Sequence, residues 1–308
     1  MGTPDFAKES LVKLVESGYN VVGCFTNPDK PAGRGMKVTY SAVKEYAVLK
    51  NIPVFQPNKL RNNEEVLDIL KKLEPDFLAV VAYGKILPQE ILDVAKLGSI
   101  NVHGSLLPKY RGAAPMQWSI INGDEVTGIT TMYMDAGMDT GDMLLKEEIK
   151  IEENDDFESI HDKLKVVGSN LLIKTLDELL NGNLKGTKQS NDFSIAPMIS
   201  KEMTKIDFNK KAKEIYNFVR GLCPYPGTYM ECEDGKKFKV YKVEYVEDIC
   251  FEEGIKNGDI IYLAKDGLHI KCENGYVKIL EIQPLNSKRM DIIAFMNASR
   301  LSMTDKFI

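Results

Sequence analysis

Asn101 and His103 stand two residues apart at the end of a short predicted strand, Ser99–His103, and a loop, Gly104-Ser105-Leu106-Leu107-Pro108, follows directly. On a strand, residues two apart project to the same face. Open α/β sheets bind ligands beyond the carboxyl ends of their strands, where this pair would sit. An amide and an imidazole there could donate hydrogen bonds to an oxygen that gains negative charge during a reaction. The imidazole could also carry a proton near neutral pH. Taken alone, an Asn-x-His pair serves equally well to cap a loop or satisfy a backbone group. The chain has three histidines. His161 reads on a helix and His269 on a strand of the later half, so His103 is the best placed for proton transfer.

Three further segments have chemical potential. Asp135, Asp139 and Asp142 lie in Met134-Asp135-Ala136-Gly137-Met138-Asp139-Thr140-Gly141-Asp142, a loop that follows a strand. Its glycines allow a tight turn and close ligand approach. The same residues would equally make an acidic turn with side-chain caps. The loop contains no histidine and lacks calcium-loop spacing, so a metal is not expected. Asn27–Lys37 is a long Pro/Gly loop carrying Lys30, Arg34 and Lys37, and long loops are often functional. Arg34, between Gly33 and Gly35, suits a phosphate backbone. The bland alternative is a surface loop. Gly2-Thr3-Pro4 could cradle an anion at a helix N-terminus, but no dinucleotide or Walker pattern accompanies it.

The elements needed to position these residues are legible from periodicity. Helices are predicted over 7–18, 41–50, 62–73, 88–95, 113–122 and 156–180. Strands are predicted over 20–25, 52–55, 77–83, 99–103, 127–134 and 143–149. Phe77–Tyr83 is apolar throughout, as a parallel strand buried on both faces requires. This alternation is the doubly wound α/β pattern. Residues 183–205 read as a polar linker and 206–221 as a helix. From Pro226 onward short alternating strands are separated by Asp234-Gly235, Asp266-Gly267 and Asn274-Gly275, which are hairpin signals. A small β-barrel is therefore expected after a catalytic domain spanning 1–182, with the second domain covering 206–308.

Composition removes several classes. With 308 residues, 44% hydrophobic and 28% charged, the chain can bury the cores of two domains and is not disordered. No apolar run approaches a membrane span, and the first residues do not resemble a secretory signal. Five cysteines without a C-x-x-C pair suggest neither a disulfide framework nor a zinc site, and a reducing cytoplasm is the expected compartment. The net charge of −5 is uneven: residues 1–181 balance to −7 (20 against 27), and residues 182–308 to +2 (20 against 18). Lys201, Lys205, Lys210, Lys211 and Lys213 cluster at the approach to the second domain, where they could meet phosphates or simply form a solvated face.

Read together, the motifs resemble the methionyl-tRNA formyltransferases, a formyltetrahydrofolate-dependent family. The resemblance rests on MGTPDFA at 1–7, PDKPAGRG at 28–35, NVHGSLLPKYRGAAP at 101–115 and ITTMYMDAGMDTGDML at 129–144. RGLCPYPGTY at 220–229, ILEIQP at 279–284 and AFMNASRL at 294–301 extend it over essentially the whole chain. It implies a Rossmann-like formyltransferase domain followed by a small OB-like barrel. It implies 10-formyltetrahydrofolate as formyl donor, with no metal, and methionine on initiator tRNA as acceptor. Asn101, His103 and Asp139 match the catalytic trio, and Ser105, Leu106, Leu107 and Pro108 the folate-contacting stretch. Arg34, with Lys30 and Lys37 beside it, lies in the loop that meets the tRNA, and Lys210, Lys211 and Lys213 would add phosphate contacts. The protein is expected to act as a cytoplasmic monomer with no membrane partner.

The chain departs from the family pattern in three respects. The family has Leu where Met138 stands and favours glycines near 298 and 304. It also places a strand ahead of the MGTPDF block, whereas here the sequence opens inside the first loop, so a short apolar strand of about six residues is expected before Met1. Two other functions compete: a formyltransferase acting on a small-molecule amine such as a sugar nucleotide, and an inactive tRNA-binding relic. The basic loop argues against the first, and the intact trio against the second.

Overall fold

The computed structural model describes residues 1–32, 37–298 and 301–308. The chain divides into two compact units. The first comprises 1–115, 127–149 and 161–196; the second comprises 116–126, 150–160 and 197–308.

In the first unit, α1 (Asp5–Glu16) follows the opening loop and leads to β1 (Cys24–Phe25). A hairpin, β2 (Lys30–Ala32) and β3 (Lys37–Thr39), precedes α2 (Ala42–Leu49), β4 (Val54–Phe55) and α3 (Glu64–Leu73). Then come β5 (Leu78–Val80), α4 (Gln89–Leu92), β6 (Ser99–His103), β7 (Arg111–Gly112) and, in part, α5 (Pro115–Ile121). A long hairpin of β8 (Val126–Tyr133) and β9 (Met143–Lys150), α6 (Phe157–Leu180) and β10 (Ile195–Ala196) complete it. The main sheet runs β5-β6-β8-β9, with β5 parallel and β8 antiparallel to β6.

Local chemistry explains the element ends. The Asn63 side chain accepts from Val66 N at 3.2 Å to start α3, with Glu64 and Glu65 in its first turn and Lys71 and Lys72 in its last. Ser41 caps α2 in the same way. The apolar faces of these elements meet in a core that includes Phe25, Leu70, Leu78, Val80 and Ile91.

The strands predicted over 20–25 and 77–83 are shorter in the structure. β1 pairs only with β4, as a separate two-stranded parallel sheet. Among the described residues, only the chain start is paired between β1 and β5: Gly2 bridges Val81, Gly2 N–H donates to Phe25 O, and the Met1 amino group donates to Ala79 O at 2.6 Å. Beside that point lies a cavity of about 410 Å³, lined by Leu11, Leu14, Val22, Leu70, Leu78 and Leu176 among others. Residues 20–23 line it rather than pairing in a ladder, which is why the assigned strand contracts to two residues.

The second unit holds α7 (Ala212–Gly221), whose Ala212, Ile215 and Val219 form a buried stripe. Next come β11 (Thr228–Glu231), β12 (Lys237–Glu247), β13 (Ile260–Ala264), β14 (Gly267–Cys272) and β15 (Gly275–Pro284). They form one antiparallel sheet in the order β11-β12-β15-β14-β13, with β16 (Met290–Asp291) on β15 and then α8 (Ile292–Ala298). The expected hairpins form at all three Asx-Gly turns. A closed barrel is not formed by ladder pairing among the described residues, because β11 and β13 remain at opposite ends of the order. The chain's last residues reach both of these ends. Phe307 bridges Cys232 beside β11, Lys306 bridges Asp259 beside β13, and the Phe307 ring is buried with Phe238 and Phe208.

Candidate active site

β6 is buried except at its middle, so Asn101 is half-buried and His103 is 5% exposed. Alternation places both on one face. His103 Nε2 lies 2.9 Å from Tyr110 O. A carbonyl only accepts, so Nε2 carries the proton, and Nδ1 is the nitrogen left for chemistry. Nδ1 is 3.6 Å from Asp139 Oδ1, too far for a good direct hydrogen bond. A third atom set to one side can still lie within hydrogen-bond reach of both.

Asp139 reaches this position from a backbone in the left-handed region, φ 54°. Its other oxygen, Oδ2, accepts from Gly112 N–H at 2.9 Å. Asp135 does different work in the same loop: its Oδ1 accepts from Gly137 N–H at 3.0 Å and the Thr140 hydroxyl at 2.7 Å, fastening the turn. Gly141 is required, since a Cβ there would stand 1.8 Å from Tyr133 O. Met138 is 67% exposed, so its departure from leucine disturbs no packing.

The segment 105–108 is locked from below. Thr130 Oγ1 donates to Ser105 O at 2.7 Å and accepts from Leu107 N–H at 3.0 Å. The Ser105 hydroxyl donates to Lys109 O at 2.7 Å, and the Lys146 ammonium donates to Leu107 O. Burial holds the Lys146 pKa below its ordinary value. Leu107 is buried, while Leu106 and Pro108 are half-buried.

Lys30 is exposed and Lys37 opens β3. Arg34 lies outside the described residues. Asp29, at the foot of this hairpin, pairs with Lys44 and accepts from Gln56 at 2.9 Å; the Lys44 ammonium, then Gln56, hold its carboxyl below the usual range. Lys210, Lys211 and Lys213 are exposed in the second unit. The structure thus brings His103 and Asp139 together, and leaves Lys30 exposed in the first unit and Lys210, Lys211 and Lys213 exposed in the second.

Sequence reasoning missed Gln189, Arg111 and Ser194, which brace this site from within or beside the stretch read as a linker. Polar composition offered no periodic signal there; β10 is only two residues long. One group among the described residues, Asp5, His161 and Asp162, has ligand atoms close enough for a metal. Lys165 lies 3.6 Å from Asp5 and 2.6 Å from Asp162, so a fixed cation already balances these carboxylates.

Solved structures share this architecture. A sugar 3N-formyl transferase, WlaRD, determined with dTDP and 5-N-formyl-THF, superposes with a TM-score of 0.64 at 21% identity, over 93% of this chain and 97% of that one. HypX from Aquifex aeolicus in complex with tetrahydrofolic acid gives 0.57 at 16%, over 82% of this chain and 43% of that one. The likeness at these identities is one of fold. The formyl transferase family pattern matches residues 1–176, and the formyl transferase C-terminal domain pattern matches 198–300. The chain belongs to the formyl transferase family. The methionyl-tRNA formyltransferase of Caldanaerobacter subterraneus subsp. tengcongensis is 50% identical over 297 residues, 96% of this chain and 94% of that relative. That of Clostridioides difficile is 48% identical over 292 residues, 94% of this chain and 93% of that one.

Proposed function

We propose that this chain transfers the formyl group of 10-formyltetrahydrofolate to the amino group of methionine on initiator tRNA. The observation that carries the reading is the His103–Asp139 pair at the strand end, in a chain about half identical over nearly its full length to enzymes named for this reaction. The methionyl amine attacks the formyl carbon. A carbon–nitrogen bond forms, and the carbonyl oxygen takes the displaced electron pair. Asn101, half-buried on the same face as His103, donates its amide N–H to that oxygen. The 3.6 Å separation of His103 Nδ1 and Asp139 Oδ1 leaves room for the attacking amine, or a water, to touch both. His103 takes the amine proton and returns it to the folate nitrogen as the old carbon–nitrogen bond breaks. Electrons and protons balance with no covalent enzyme intermediate.

Ser105, Leu106, Leu107 and Pro108 contact the folate, on a backbone held by Thr130 and Lys146. Lys30, Arg34 and Lys37 meet tRNA phosphates in the first unit; Lys210, Lys211 and Lys213 do so in the second. The sheet of the second unit is OB-like, a barrel completed by the chain's last residues rather than by a β11–β13 ladder. The protein works as a cytoplasmic monomer. Among the described residues no helix is long and apolar enough to cross a membrane. A formylation assay offering charged initiator tRNA beside free amino sugars tests the substrate. Faster formylation of the sugars would replace this reading with the small-molecule one, and activity on neither would favour a binding protein.

A further inference from the structure

We infer that Gln189 is a positioning residue that sets the Asp139 carboxylate against His103; this rests on the catalytic reading given above. Gln189 Nε2 donates to Asp139 O and to Gly141 O, each at 2.8 Å. Its Oε1 accepts from Arg111 Nε at 2.8 Å. The guanidinium of Arg111, which is 9% exposed, stacks over the Phe193 ring with 4.4 Å to the centroid. The guanidinium fixes the amide's orientation, because a flipped amide would face a donor with donors and two carbonyls with an oxygen. One side chain thus uses both N–H donors and its oxygen on three fixed partners.

Asp139 needs this hold. Its φ of 54° is a conformation that non-glycine residues adopt at a cost, and it persists only where the surroundings impose it. Gln189 secures the backbone on either side of Thr140, and Gly112 N–H then fixes Oδ2, leaving Oδ1 toward Nδ1. The same strand of chain braces the histidine. Ser194 Oγ accepts from Tyr110 N–H at 2.9 Å, and Ser194 O accepts from Arg111 N–H at 2.9 Å. β10 then pairs in parallel with β7, with Ala113 N–H donating to Ala196 O. Tyr110 O is the acceptor for His103 Nε2. Residues 189–196 therefore hold both members of the pair, and Gln189 is the member whose side chain hydrogen-bonds the aspartate loop.

Gln189→Glu discriminates, because it keeps an oxygen for Arg111 but has no N–H for the two carbonyls. In the full chain, Gln189→Glu and Gln189→Ala should lower kcat by ~10–100-fold, the range seen when an outer-shell partner is lost. KM for folate and tRNA should stay within a few-fold, and the pH profile of kcat should shift. The melting temperature of Gln189→Glu should hold to within a few degrees. Combined with Asp139→Asn, Gln189→Glu should add little, because the two act as one unit. A kcat for Gln189→Glu within twofold of the parent, an unshifted pH profile, or full additivity with Asp139→Asn overturns the inference. Asp139→Asn and His103→Ala measured alongside separate the two ideas. If they abolish turnover while Gln189→Glu does not, only the positioning role fails. If they too leave turnover intact, the catalytic reading falls and takes this inference with it.

Discussion

His103 illustrates how one hydrogen bond assigns a role. With Nε2 committed to Tyr110 O, the reactive nitrogen is Nδ1, on the side where Asp139 stands. Replacing His103 with Ala should lower turnover by ~10²–10⁴ while tRNA binding stays nearly intact, because the group acts on the transition state rather than on the bound substrate. Turnover within a few-fold of the parent would contradict this. Arg34 is expected to behave in the opposite way. Arg34→Ala should impair use of methionyl-tRNA far more than use of 10-formyltetrahydrofolate, and should flatten the dependence of activity on salt, as loss of a phosphate contact does. Equal losses toward both substrates would count against a tRNA role for that loop.

At the scale of elements, the cavity between β1 and β5 has a measurable consequence. Leu11, Leu14 and Leu78 face it, and Ala79 O and Phe25 O mark its strand edges at the chain start. Removing apolar lining from water stabilises the unit by about 25 cal/mol for each Å² covered. A larger apolar side chain in its lining, as in Val22→Leu, should fill part of it and raise the melting temperature by a few degrees. A polar side chain of similar size, as in Val22→Gln, should not. Equal melting temperatures for Val22→Leu and Val22→Gln would refute this account.

The same region shows what the sequence could reveal and what it could not. α3, β6 and α6 were legible to within two residues because periodicity and caps act locally: Asn63 and Leu70 announce α3 wherever it packs. The contraction of β1 was not legible, because a strand's length depends on a neighbour that its own residues do not encode. His103 was legible as a residue type at a strand end and 134–142 as an acidic loop, within which the family resemblance singled out Asp139. Gln189 was not legible, since its role arises from two carbonyls fifty residues away in the chain.

At the scale of the whole molecule, Phe307 concentrates much of the second unit's integrity. It is 2% exposed, lies against Phe238 and Phe208, and its backbone bridges Cys232 while Phe307 N–H donates to Gly258 O. Phe307→Ala should cost ~3–5 kcal/mol, the range for emptying a buried aromatic site. Denaturant unfolding would read this directly, and a loss below 1 kcal/mol would show that the tail is peripheral.

The tail also governs solution behaviour. Each end of an open sheet is a row of unsatisfied donors and acceptors that can recruit a strand from another molecule. Lys306 and Phe307 occupy such groups beside β11 and β13, and the Lys306 ammonium sits 3.2 Å from Asp259. These contacts join positions far apart in sequence, so each must close a long loop before it forms. Until they close, refolding chains expose adhesive edges to one another. The short tail thus acts as a molecular selvage, and the yield of soluble protein from concentrated refolding depends on how soon it docks.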